Sequence, residues 1–238
     1  MRHQFHRSPT IIALAFLLAL CSLGCAFGNE QEYHVRFPSP VQGRGAIALA
    51  VHDQRQKVLS GSEDEDYVGT QRGGFGNPFD VSTASDRPLA DDWASSVSDA
   101  LKQGGFTPEV VPTRANDAPQ LVIRRLQETR APASILFVIH EWHTDTYNNA
   151  TLHRNVTLTI LSPAATPLAS ARSGGDLELG GSLLNPAGNA RDEVQREFVR
   201  TLRGLLSDAA VQAALRTATA PATAPRTAQR EAAPAASR

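Results

Sequence analysis

The sequence predicts an α+β domain, with a mostly antiparallel sheet and two helices packed on one face. Three observations lead there. Leu89–Gln103 and the stretch after Asn189 carry apolar residues at helical spacing. Between them, three successive segments from Ser134 to Leu179 read as strands separated by turn signals, a meander. A third, the length of chain from Val41 to Arg216, allows one core without metal or disulfide staples.

Residues 1–24 read as an export signal. Arg2 and Arg7 precede the apolar run Ile11–Leu20, which is too short to stay behind as a membrane span. Two cleavage sites compete. Ser22-Leu23-Gly24-Cys25 resembles the bacterial lipobox, in which the cysteine becomes the lipidated first residue; Gly24 fits, while Ser22 and Leu23 depart from the usual order. Ala26-Phe27-Gly28 is an ordinary small-x-small site, with cleavage before Asn29. Lipidation at Cys25 is the expectation adopted, with a soluble periplasmic protein as the alternative. Ala26 is not the aspartate that retains lipoproteins at the inner membrane. By resemblance to that sorting rule, the periplasmic face of the outer membrane is expected.

Residues 25–44 read as a polar tether and 45–216 as a single domain. Ala46–Val51 is the first strand, and 57–86 a long flexible loop containing the acidic run Glu63–Asp66. Ser85, Asp86 and Pro88 suit the start of the helix Leu89–Gln103, and Gly104-Gly105 its end. Phe106–Val111 and Leu121–Leu126 read as short strands. The meander follows as Ser134–Thr146, Leu152–Leu161 and Pro167–Leu179, with turns at Asn148-Asn149 and Pro163–Thr166. The second helix starts near Asn189, presents Val194, Phe198, Leu202 and Leu205 as one stripe, and breaks near Ser207-Asp208 before Val211 and Leu215. Residues 217–238 are rich in Ala, Pro and Thr and carry no large apolar side chain, so a disordered tail is expected.

Composition removes whole classes of function. Lys+Arg is 23 and Asp+Glu 24, so there is no field to attract a nucleic acid. The only cysteines, Cys21 and Cys25, lie at the signal, which leaves the domain without a disulfide, a thiol nucleophile or a cysteine zinc site.

The segment Val51-His52-Asp53-Gln54-Arg55, the later Tyr67-Val68-Gly69, the helix ending in Gly104-Gly105-Phe106 and the closing Val211 and Leu215 resemble the YajG-type family of bacterial lipoproteins. The resemblance spans roughly Gly45 to Arg216. It implies an α+β lipoprotein and brings no catalytic residues with it.

His140-Glu141-Trp142-His143-Thr144-Asp145 is the most suggestive segment for chemistry. In a regular strand Glu141, His143 and Asp145 share one face with His153 of the return strand, while His140 and Trp142 take the other. Cross-strand ion pairs, such as Arg154 beside Glu141 or Asp145, account for the same residues. Asp53 and Arg55 are expected to fix the strand end by turn bonds and an ion pair. The glycine-rich stretches lack a phosphate-loop lysine, and Gly180-Gly181-Ser182 lacks the nucleophile-elbow pattern. The expectation is therefore a non-enzymatic, lipid-anchored envelope protein with a binding or assembly role. No catalytic residue, metal or cofactor is assigned. Its partners are the membrane, through the lipid, and an envelope protein, not a nucleic acid. The alternative is a periplasmic enzyme or metal-binding protein using His140–Asp145.

Overall fold

A computed structural model describes residues 30–72, 76–146, 149–179 and 186–219. The first predicted strand is the centre of β2 (Gly45–Asp53), which is buried from Ile47 onward. Ile47, Leu49 and Val51 enter a main core, while Ala48 and Ala50 enter a smaller core on the opposite face. A strand buried on both faces is a continuous apolar run, which is the mark of parallel pairing. Accordingly β2 lies between two parallel partners, β5 (Phe106–Val110) and β6 (Ser134–Thr146).

This corrects the predicted sheet: among the described residues it has eight strands and is mixed rather than mostly antiparallel. The short β1 (Glu30–Gln31) runs parallel to β4 (Pro78–Thr83). β3 (Tyr67–Arg72) is antiparallel to β4 and parallel to β6. The meander of β6, β7 (Ala150–Leu161) and β8 (Pro167–Glu178) is antiparallel, as predicted.

Five helices are found among the described residues, not two: α1 (Gln56–Leu59), α2 (Leu89–Gln103), α3 (Pro119–Glu128), α4 (Pro186–Ser207) and α5 (Ala209–Ala218). They cover both faces of the sheet. α2, α4 and α5 fill the main core through Trp93, Leu101, Phe198, Leu202, Val211 and Leu215, whereas Val122 and Leu126 of α3 fill the smaller one. α2 lies on the connection from β4 to β5 and α3 on the connection from β5 to β6, and the two helices pack against opposite faces of the sheet.

Local chemistry explains the other departures. Leu121–Leu126, expected as a strand, is helical because Pro119 sets the first turn and the buried Val122 and Leu126 stand one helical turn apart. The expected tether is part of the domain: Tyr33, Phe37 and Val41 are buried in the main core. The expected flexible loop contains α1, β3 and β4. At the start of α2 no side chain caps the helix, and Ser85 Oγ instead donates to the buried Asp92 at 2.7 Å. The break before α5 falls where expected, because the Asp208 carboxylate accepts from the amides of Ala210 and Val211 and starts a new helix.

Two interactions lock the architecture. Tyr33, Trp93, Trp142 and Phe198 meet edge to face, with centroid separations from 4.9 to 6.2 Å, and Trp142 Nε1 donates to the Tyr33 hydroxyl at 2.9 Å. At the end of β2 the buried Arg55 grips Asp53 with Nε and Nη2, as the sequence suggests, at 2.9 and 2.7 Å. Its other hydrogens go to the carbonyls of Glu65 (2.9 Å), Trp142 (3.4 Å) and Tyr67, tying β2 to β3 and β6. No helix of the described residues is long and apolar enough to cross a membrane.

Candidate functional site

The site grows out of an irregularity in β6. Ile135, Phe137 and Ile139 point into the main core, and so does Trp142. Odd positions face inward before residue 140 and even positions after it. Pairing with β7 jumps from Ile139↔Val156 to Glu141↔Asn155, leaving His140 as the extra residue of a β-bulge. The bulge puts His140 and Glu141 side by side on the outer face, which corrects the alternation predicted for His140. Beyond it, Trp142, Thr144 and Thr146 are buried, and Glu141, His143 and Asp145 share the outer face as predicted.

On that face His143 lies directly opposite His153 of β7. Their imidazole rings stack, with centroids 4.8 Å apart and an interplanar angle of 21°. Glu141 Oε1 stands 4.0 Å from His143 Nδ1. From β8, Asp176 Oδ1 reaches His153 Nδ1 at 2.9 Å, in register with the pairing of the two residues. One nitrogen from each ring and one Glu141 oxygen lie within 4.8 Å of one another.

A small pocket of about 130 Å³ borders this cluster, lined by residues of α1 and β3 together with His140, Glu141 and His143. Lys57 of α1 stands over the Tyr67 ring, 5.0 Å from its centroid, and donates to the Tyr67 hydroxyl at 3.0 Å. That bond raises the Lys57 pKa, while burial, followed by the charges of Lys57, His153 and Arg55, lowers the pKa of His143 to about 4. His140 is also held low, first by burial and then by Arg172.

The ion pairs differ from those predicted. Asp145 pairs with Arg72 of β3 at 3.1 Å, not with Arg154. Arg154 lies on the inner face of β7, where it bonds Glu197 of α4 and, at 3.1 Å, Thr201. A larger cleft of about 470 Å³ opens there between β8 and α4, but Glu197, its buried carboxylate, already holds both Arg154 and Arg200. The outer-face cluster is therefore the better candidate. Asp176 was missed because its strand is marked in the sequence only by weak alternation broken by Gly174-Gly175. A lone aspartate there reads as a solvated edge. Cys25 and Gly180–Ser182 lie outside the described residues.

No family model matches this sequence, and no curated protein matches it. The chain is similar in structure to protein XCC0632 from Xanthomonas campestris, with a TM-score of 0.48 at 10% identity, covering 77% of this chain and 92% of that one. It is similar to the PelC dodecamer subunit from Paraburkholderia phytofirmans, with a TM-score of 0.36 at 11% identity, covering 75% and 94%. It is also similar to the lipoprotein GNA1162 from Neisseria meningitidis, with a TM-score of 0.37 at 10% identity, covering 66% and 99%. Likenesses this distant do not place the chain in a family.

Proposed function

We propose that this chain is a lipid-anchored bacterial envelope protein of the YajG-type kind, acting by binding or assembly rather than by turnover, at the periplasmic face of the outer membrane. The observation that carries the reading is the position of Cys25. It follows an apolar signal segment and precedes the first strand residue, Glu30, by five positions. Five Cα steps span at most about 18 Å in any conformation. A lipid on Cys25 would therefore keep Glu30 within about 18 Å of the anchor. Two or three acyl chains, at about 0.8 kcal/mol per buried methylene, suffice for stable attachment.

The non-enzymatic part of the reading is supported by how the charged groups are used. Among the described residues the buried carboxylates Asp53, Asp92 and Glu197 are each engaged by an arginine: Arg55 and Arg87 close in sequence, and Arg154 across from β7 to α4. The partner would be an envelope protein meeting the domain close to the membrane.

The test is the intact mass of the mature chain from a membrane fraction, alongside a Cys25→Ala variant. A mature chain that begins at residue 25 with acyl mass, and a variant that becomes soluble, are expected. A mature chain beginning at Asn29 without lipid would overturn the anchored reading in favour of a free periplasmic protein.

A further inference from the structure

We propose that Glu141, His143 and His153 form a binding site for a divalent transition-metal ion of the zinc type, with Asp176 orienting one of the ligands. Two imidazoles and a carboxylate are the donor set zinc takes when it keeps a further coordination position for water. The three donor atoms lie within 4.8 Å of one another. Bonds near 2.1 Å in a tetrahedral site set ligand atoms about 3.4 Å apart. The difference is shared among three side chains and is closed by small rotations. No backbone has to move, because His143 and His153 are paired residues on adjacent strands.

Asp176 makes the arrangement specific. Its carboxylate engages His153 Nδ1 at 2.9 Å, which fixes the ring and leaves Nε2 as its free nitrogen. A carboxylate on the far nitrogen of a ligating histidine is the usual outer-shell partner of a metal site. Two carboxylates, Glu141 and Asp176, face the histidines, and the nearby Arg55 and Arg72 are paired with Asp53 and Asp145, although the charges of Lys57 and Arg55 still reach His143. The side chains of Glu141, His143 and His153 are 45%, 22% and 28% exposed, so an ion reaches them from solvent and water completes its shell.

The test titrates the purified chain, as processed by the cell, with Zn²⁺ against a chromophoric chelator. The thermal midpoint is followed with and without the metal, and circular dichroism reports folding. A single Zn²⁺ taken up with a rise in midpoint is expected. His143→Ala and His153→Gln should each abolish uptake, and Asp176→Asn should weaken it roughly 10- to 100-fold. His34→Ala removes a histidine that also faces a carboxylate, Asp99, but has no second ring beside it, and should leave uptake unchanged. No uptake by the unaltered chain, or undiminished affinity in a folded His143→Ala/His153→Gln double variant, would overturn the proposal.

Discussion

Arg55 takes a permanent charge into the interior, and the surroundings supply an acceptor for each of its faces: Asp53 and the carbonyls of Glu65, Tyr67 and Trp142. Replacing it by Met strands the Asp53 carboxylate, at a cost of about 3–5 kcal/mol. Urea denaturation should show that loss, and the Asp53→Asn/Arg55→Met pair should lose less than the two single changes summed. Tyr33→Phe is a milder probe. It leaves Trp142 Nε1 buried without an acceptor, for a loss of about 1–3 kcal/mol by the same measurement. His52 bears on acid stability. Burial keeps its pKa below the usual 6.5, so in the fold it stays neutral at a pH where the unfolded chain is already protonated. Its contribution is thus fully present above about pH 6.5 and is lost as the pH falls below that value. Urea midpoints measured downward from pH 7 should drop more steeply for the unaltered chain than for His52→Asn.

At the scale of elements, the bulge in β6 matters most, because a strand's side chains change face with every residue. Deleting His140 removes the extra residue and leaves Ile139, Glu141 and Trp142 in plain in-out-in alternation, with Trp142 still facing Tyr33, Trp93 and Phe198. We expect that deletion to leave the chain folded, and His140→Ala, at an exposed position, to shift stability by no more than about 0.5 kcal/mol. Proteolysis and circular dichroism of the two variants decide it. The bulge is not legible in the sequence: His140-Glu141 reads as any polar pair in an alternating strand, and what makes it a bulge is that Ile139 and Trp142 are both drawn into one core. A second element-scale constraint lies where β3 meets β6. A Cβ on Gly69 would stand 2.7 Å from the Thr144 carbonyl oxygen, so Gly69→Ala should loosen that parallel pairing and lower the thermal midpoint.

For the molecule as a whole, the packed domain includes residues ahead of the first obvious strand, since Tyr33, Phe37 and Val41 belong to the main core. A chain beginning at residue 45 should aggregate while one beginning at Asn29 stays monomeric, as size-exclusion chromatography would show. The helix Leu89–Gln103, the antiparallel meander, the stripe of α4 and the Asp53–Arg55 clasp are all legible in the sequence. Each is written in residues close together in the chain, as a period or a short-range bond. Also legible is which three of the site residues share a face, Glu141, His143 and Asp145, because they fall on the regular side of the bulge. Long-range contacts set the remaining features. Parallel pairing leaves no mark in a strand beyond its being apolar throughout, so the order of β2, β5 and β6 and the two-sided helix cover depend on contacts between distant segments. The same holds for Asp176 beside His153 and Arg72 beside Asp145: strand register brings these partners together, and nothing local in the sequence announces it.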